Sequence, residues 1–331
     1  MSLPADCLAQ DRAKRVLVIS FSQTGQLEAV VRSFIAPLEN DPTITLRRIL
    51  LEPVEQYPFP WPLVRFFDLL PECTYLDPAP IMPITVAPGE AYDLAIIAYQ
   101  VWFLSPSMPV TAFLKSEAAR RLLADKPVIT LVACRNMWAM AHEKMKSLLA
   151  DVGARLIDNV VLTDRGGFST FVTTPFWILT GRKGGFFGLW TAGIAREDIV
   201  ACDRFGHALV SGLSANQERQ GTPMLTGLRA VVADPSLISM ERMGDLSFRL
   251  WGSVLRMVGS PGTRWRAALV MVFAIYLTLV IVALMPISML ARRLLSSFLS
   301  RRMAADRAYF EWPSGSSDHH IGQIRSTTLH R

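Results

Sequence analysis

A chain of 331 residues is long enough for one generous hydrophobic core or two modest ones. Charged residues make up only 19% of it, against about 25% in ordinary soluble domains, so part of the protein is built to face something other than water. The net charge of +6 does not point to nucleic acid, because many arginines flank an apolar C-terminal segment and no docking motif accompanies them. The four cysteines, Cys7, Cys73, Cys134 and Cys202, show no paired spacing, which argues against a disulfide framework or a cysteine metal centre.

Residues 1–14 read as an extension without the apolar run of a secretory signal, so the N-terminal domain is expected in the cytoplasm. The run Arg15-Val16-Leu17-Val18-Ile19-Ser20-Phe21 has the pattern of a strand buried on both faces of a parallel sheet. Leu27, Val30, Val31, Phe34 and Ile35 then recur at helical spacing, which predicts a helix from Gln26 to Leu38, ended by Asn40, Asp41 and Pro42. Further strands are expected at Thr43 to Leu51, Ala91 to Tyr99, Pro127 to Ala133 and Ala154 to Thr163. Helices are expected at Val110 to Leu123, Met137 to Asp151 and Arg196 to Leu213. The alternation predicts an α/β fold, a doubly wound parallel sheet of five strands spanning residues 15–213.

Two stretches depart from that ladder. Residues 53–88 hold nine prolines, Pro53 to Pro88, with Tyr57, Phe59, Trp61, Phe66, Phe67 and Tyr75 among them, and forbid a regular helix over most of their length. Residues 166–193 carry Phe168, Phe171, Phe176, Trp177, Phe186, Phe187 and Trp190 among glycines and threonines. Both are too aromatic for plain surface loops. Residues 214–266 read as a linker with an interfacial helix at Ser247 to Val258.

Residues 267–291 are uncharged. At about 1.5 Å per residue this segment is long enough to cross roughly 30 Å of hydrocarbon. It is expected as a transmembrane helix kinked near its end by Pro286, with a monotopic insertion or a buried core helix as the other readings. Arginines on both flanks leave the orientation open. Residues 292–331 read as a basic tail, disordered from Ser314.

The turn Phe21-Ser22-Gln23-Thr24-Gly25-Gln26-Leu27 joins the first strand to the first helix, where a doubly wound sheet binds phosphate outside the carboxyl ends of its strands. Ser22 and Thr24 offer hydroxyls, Gly25 lets the backbone approach closely, and free N–H groups at the helix start favour an anion. A helix cap by Ser22 or Thr24 is the plainer reading. The turn resembles the flavodoxin phosphate loop, with Gln26 where that loop has asparagine and Leu27 where it ends in threonine. The resemblance implies a flavodoxin-like sheet of order 2-1-3-4-5 and flavin mononucleotide (FMN) held by Ser22, Gln23, Thr24, Gly25 and Gln26.

A second loop, Gln100-Val101-Trp102-Phe103, resembles the flavodoxin and quinone-reductase segment that lines the isoalloxazine, and Trp102 and Phe103 are flat enough to stack there or to cover the core. In a third loop, Cys134-Arg135-Asn136-Met137-Trp138, Arg135 is suited to flavin carbonyls or an acidic group, Asn136 to hydrogen bonding and Trp138 to stacking. Cys134, beside Arg135 and a helix N-terminus, is expected to have a lowered pKa and to be a candidate nucleophile with His142 as base; the alternative is a small buried hydrophobe. Asp164 and Arg165 stand at the end of the last strand and are candidates for the same rim.

Over Arg15 to about Leu213 the chain resembles the dialkylresorcinol condensing enzymes, flavodoxin-like partners of ketosynthases in bacterial aryl-lipid and aryl polyene clusters. The carrying segments are Phe21 to Leu27, Tyr57-Pro58-Phe59-Pro60-Trp61-Pro62, Tyr99 to Leu104, Ala133 to Trp138 and Asn159 to Arg165. The resemblance implies a membrane-tethered FMN oxidoreductase at the bacterial inner membrane, acting on a lipid-like or polyketide intermediate, with Cys134, Arg135 and Asn136 as catalytic candidates. A non-redox condensing or cyclising partner of a ketosynthase, and a non-catalytic scaffold for a ketosynthase or acyl carrier protein, are the alternatives.

Overall fold

The computed structural model describes residues 12–166, 169–183, 192–284, 287 and 296–321. Its centre is a five-stranded parallel sheet of β1 (Lys14–Ser20), β2 (Ile44–Leu50), β3 (Leu94–Tyr99), β4 (Pro127–Cys134) and β5 (Arg155–Thr163), in the order β2-β1-β3-β4-β5. That order is the flavodoxin-like one, with its topological switch point between β1 and β3. All six residues of β3 and seven of the eight in β4 are buried, as expected of strands covered by helices on both faces.

Helix α1 (Gln26–Glu39) buries Leu27, Val30, Val31, Phe34, Ile35 and Leu38. The first insertion folds into two short helices, α2 (Leu63–Phe67) and α3 (Leu70–Thr74), the second with Pro71 in its first turn, where a missing N–H costs nothing. The expected helix at Val110 to Leu123 is two, α4 (Met108–Leu114) and α5 (Glu117–Leu123). They part because the Ser116 Oγ accepts the Ala119 amide at 3.2 Å and restarts the chain as an N-cap.

Helix α6 (Ala139–Asp151) follows β4, and the second insertion contains α7 (Thr170–Thr180), helical despite Pro175. Phe168, Phe186, Phe187 and Trp190 lie outside the described residues. The helix expected from Arg196 to Leu213 is also two, α8 (Arg196–Val200) and α9 (Asp203–Ser214), and α9 packs along α1 with Phe205 stacked on Phe34 at 5.9 Å.

The stretch expected as a linker is largely ordered. After α10 (Gln217–Gln220) the chain runs beside β5, where the buried Asp158 carboxylate accepts the Met224 and Leu225 amides at 2.6 and 3.4 Å. Helix α11 (Pro235–Val258), capped by Asp234, begins well before Ser247, and its Gly252 lies against Tyr75 and Pro71 of the first insertion. Helix α12 (Arg264–Leu279), prolonged by a π turn at Val280–Leu284, folds back antiparallel on α11. Ser247 and Tyr276 share a hydrogen bond of 3.0 Å, and Trp251 packs on Phe273 at 5.5 Å. The segment Arg264–Ala283 is long and apolar enough to cross a membrane; Pro286 lies outside the described residues.

Beyond it, α13 (Ser296–Glu311) returns to the sheet domain. Arg242 forms a bidentate pair with Asp306 at 2.9 and 2.7 Å, and Phe310 is buried against Trp138 at 6.1 Å. The expectation of disorder from Ser314 is corrected: the Ser314 Oγ donates to Asp158 at 2.7 Å and accepts the Asn159 amide at 2.8 Å. The Gly315 and Ser317 carbonyls accept the Val231 and Arg229 amides. A buried carboxylate needs several donors, and the C-terminal segment supplies one of them. Residues 322–331 lie outside the described ones.

Candidate functional site

At the end of β1 the chain turns through Ser22, Gln23, Thr24 and Gly25 into α1. Gly25 takes a left-handed conformation, φ +77°, and an added Cβ there would meet nothing within 4 Å, so the requirement for glycine is conformational and the space above it is open. The first amide of α1 with a described acceptor is that of Glu28, which donates to the Ser22 Oγ at 3.3 Å. Among the described residues the amides of Gln23, Thr24, Gly25, Gln26 and Leu27 donate to nothing. The N-cap residue is Gly25, not Ser22 or Thr24 as the plainer reading has it; Ser22 takes up one amide of the first turn from outside the helix, and Thr24 makes no described hydrogen bond. Amides without a described acceptor at a helix N-terminus make this turn a candidate anion cradle.

The cradle opens into a cleft of about 380 Å³ lined by Thr24, Gly25, Gln26, Ala29, Phe59, Trp177, Lys183 and Ile199. That volume is within the roughly 300–1,000 Å³ of small-molecule sites. Its aromatic walls come from the two insertions. The Gln23 side-chain amide donates to the Pro58 carbonyl at 2.9 Å, which ties the turn to Phe59. The Trp61 amide donates to the Ile178 carbonyl at 2.9 Å, which joins the first insertion to α7. Phe59 and Trp177 meet edge to face at 6.1 Å, and the Lys183 ammonium lies 5.6 Å from the Trp177 ring. Sequence reasoning marked both insertions as aromatic but did not assign Phe59, Trp177, Lys183 or Ile199 to the site; the interleaved prolines and aromatics were the only signal.

The opposite side is closed by Gln26 over Gly193, where φ is +104° and a Cβ would sit 2.4 Å from the Gln26 side chain. Asp164 holds that corner, accepting the Gly166 amide at 2.8 Å and the Gly193 amide at 2.6 Å. It ties the ends of the second insertion together and faces inward as an acceptor; Arg165 is exposed and pairs with Asp198.

None of the described lining residues comes from the loops after β3 and β4. Trp102 stands edge-on to Phe21, Tyr57 and Trp61 at 5.9, 5.1 and 6.0 Å, so its ring is already surrounded by the protein's own aromatics. Phe103 and Leu104 turn a tight hairpin with φ +47° and +55°, a strained geometry for such side chains. The turn delivers Phe103 to Phe66, Phe67 and Phe248, away from the cleft. Val101 pairs with Pro106, and the Gln100 carbonyl accepts the Ser107 amide at 2.8 Å. These residues position the insertion and the C-terminal helices.

In the loop after β4, two expectations are corrected. Burial and the nearby Glu241 carboxyl push the Cys134 thiol up, outweighing Arg135, so it is not an activated thiolate. His142 is buried behind Trp138 and pushed down to about 3 by desolvation, so it offers the thiol no imidazolium partner. Trp138 is 3% exposed, edge-on to Phe310, and cannot stack on a ligand in the cleft. Arg135 lies 4.0 Å over the Phe171 ring and donates to the Asn136 Oδ1 at 3.3 Å, while the Asn136 amide donates to Thr170 at 3.1 Å. Burial pushes Arg135 down to about 10, and among the described residues it has no ion-pair partner.

No protein-family model matches the chain, and no curated protein matches it. Solved structures do. A flavoprotein of Lactobacillus acidophilus NCFM in complex with FMN matches at 16% identity over 45% of this chain and 93% of that one, TM-score 0.34. Oxidised flavodoxin 1 of Bacillus cereus matches at 13% identity over 60% and 98%, TM-score 0.33. A flavodoxin from the domain Archaea matches at 10% identity over 58% and 93%, TM-score 0.31. Likenesses with TM-scores of this size carry no argument, and the fold conclusion rests on the strand order: residues 14–163 form a flavodoxin-like α/β sheet whose first turn has amides without an acceptor among the described residues.

Proposed function

We propose that this chain is an FMN-dependent oxidoreductase held at the bacterial inner membrane, its flavodoxin-like domain cytoplasmic, acting on a long-chain or aryl-lipid intermediate. One observation carries the reading. Thr24, Gly25 and Gln26, whose amides have no acceptor among the described residues, line an open cleft at the sheet's first turn, together with the Thr24 hydroxyl a donor set suited to a phosphate monoester. Ser22, Gln23, Thr24, Gly25 and Gln26 would hold the phosphate. Phe59 and Trp177 would flank the ring system, in place of Trp102 and Phe103.

When bound, the flavin supplies two-electron redox chemistry at a site shielded from water. The chain's own residues do the rest. Thr24 and the amides fix the anionic end, Lys183 adds positive charge at the mouth, and the aromatic walls exclude water and favour a greasy substrate. Arg135, half-buried over the Phe171 ring and without an ion-pair partner among the described residues, does not line the cleft and would meet an enol or carboxylate oxygen only on a part of the substrate that extends beyond it. The resemblance to dialkylresorcinol condensing enzymes supports loss of two hydrogens from a cyclic diketone to leave an aromatic ring, with a ketosynthase or acyl carrier protein as source of the intermediate. The raised thiol of Cys134 withdraws support from a covalent condensing role.

Protein purified in detergent is expected to be yellow and to release a ligand with the mass of FMN on denaturation. A colourless protein that takes up no added FMN overturns the redox reading.

A further inference from the structure

The apolar segment Arg264–Ala283 has a mean hydropathy of 2.4 and the length of a membrane span, yet it is fastened to the sheet domain at both ends. At its start Arg266 is 1% exposed, and its guanidinium pairs with Asp68 and Glu72 of the first insertion at 2.6 Å each. Midway, Val270 and Phe273 are buried with Leu70 and Leu255, and Phe273 meets Phe67 at 5.8 Å. Near its end Ile281 packs against the cluster of Phe171 and Met240, which Met137 of the loop after β4 also joins. After the segment the chain returns through α13 and docks Phe310 and Ser314 on the same domain. A helix crossing a bilayer has lipid or other spanning segments around it for roughly 30 Å of its length, whereas this one has the charged first insertion against its start and the domain packed near its end.

The exposed side of these helices is largely apolar. On α12 and its π turn, Met271, Val272, Ile275, Leu279 and Val282 are exposed with Thr278, and on α11 Met243, Leu246, Leu250, Val254, Met257 and Val258 are exposed with Arg249 and Arg256, which pair with Asp245 and Asp77. Each set recurs at three-to-four-residue spacing and so forms one stripe on its helix. Trp265, at the start of α12, is exposed beneath the Arg264 guanidinium. Arg264, and Arg301 and Arg302 on α13, are exposed and have no ion-pair partner among the described residues. Apolar stripes with a tryptophan and an unpaired arginine at one margin, and further unpaired arginines on α13, match the interface of an anionic leaflet.

The geometry points to a monotopic attachment: α11 and α12 lie in the headgroup and upper acyl layer of one anionic leaflet, and the chain before and after the apolar helix stays on the same side. This gives a geometry to the membrane-held reading above and rests on it, while needing nothing from the flavin site. It also accounts for a span-length helix whose buried stripe faces protein and whose outer stripe faces lipid.

The test uses the full chain. Ser260→Cys and Ser317→Cys place one thiol before and one after the segment at exposed positions. Labelling by a membrane-impermeant maleimide is read at each site by mass in sealed inverted inner-membrane vesicles. Both sites are expected to react within twofold of each other there, and neither in right-side-out vesicles; reaction of one site from each side overturns the proposal. In a second arm the purified protein is floated with phosphatidylglycerol or phosphatidylcholine vesicles. Flotation is expected to be at least tenfold greater with the anionic lipid and to fall as far in Leu279→Asp. A lipid-free dimer that Leu279→Asp dissociates, with no flotation of the wild type, would assign the face to a second copy and overturn it. FMN content measured on the same samples separates the two readings: a colourless protein with the expected labelling refutes the cofactor alone.

Discussion

Residue by residue, the buried polar groups set the most specific expectations. Glu241, on α11, is buried and accepts the Met140 amide at 2.8 Å at the start of α6. Burial pushes its carboxyl from 4.5 up to about 7, with the Met140, Ala139 and Trp138 amides and Arg135 pulling the other way. A raised carboxyl binds its proton more tightly folded than unfolded. Its contribution is therefore full below about 4.5 and is lost as pH rises through about 7. At about 1.4 kcal/mol per pH unit the loss is roughly 3 kcal/mol at most. Asp158, pushed up to about 6 by burial, acts in the same direction over a lower window. Urea unfolding followed between about pH 6 and pH 7 should show stability falling in the wild type and a flatter profile in Glu241→Gln; an unchanged slope in the variant would refute the assignment.

Cys134 yields a second expectation at this scale. A thiol pushed up by burial stays protonated near neutrality and reacts slowly. Alkylation of Cys134 should lag that of a free thiol by at least tenfold, and Cys134→Ala should retain FMN and turnover. Rapid alkylation, or loss of turnover with flavin retained, would restore the nucleophile. Its neighbourhood with Arg135 was legible in sequence, but the Glu241 carboxyl that opposes Arg135 arrives from α11 and was not.

Among the elements, the sheet was the readable part. The apolar runs of β1, β3 and β4 are buried on both faces, and such runs state their environment without help from the rest of the chain. The break between α4 and α5 was missed because Ser116 caps an uninterrupted apolar pattern. The place of the turn after β1 was legible because it follows from the strand order, whereas the walls of the cleft depend on Gln23 meeting Pro58 and Trp61 meeting Ile178, contacts between distant segments. Sequence left Trp102 open between a flavin wall and a cover for the core, and offered Trp138 for stacking, because the partners that enclose them, Tyr57 and Trp61 for one and Phe310 for the other, lie far along the chain. The attachment of α12 turns on Arg266. Replacing it with leucine leaves Asp68 and Glu72 without their shared cation, at a cost of roughly 3–5 kcal/mol for a broken buried pair. Arg266→Leu should lower the thermal midpoint by several degrees and expose α12 to limited proteolysis, while Arg264→Leu, at an exposed site, should do neither.

At the scale of the whole molecule, the C-terminal helices extend the sheet domain's own core. Helix α11 packs on α3 and α6, α12 on α11 and α2, and the segment after α13 completes the hydrogen bonding of Asp158. Removing residues 264–331 would strip Phe310 from Trp138 and Ser314 from Asp158, and so should lower stability as well as vesicle binding. Composition announced an apolar surface in the C-terminal third; only the tertiary pairing of Arg266 with the first insertion shows which way it faces.

The claim on which the functional reading turns is that the cradle at β1 holds a phosphate, and calorimetric titration of flavin-free protein with FMN and with riboflavin tests it most directly. A hydrogen bond to a charged group is worth roughly 1.5–3 kcal/mol, so FMN should bind at least a hundredfold more tightly than riboflavin, and Thr24→Ala should weaken FMN about tenfold or more while leaving riboflavin unchanged. Equal affinity for the two flavins, or an affinity for FMN indifferent to Thr24, would contradict the account.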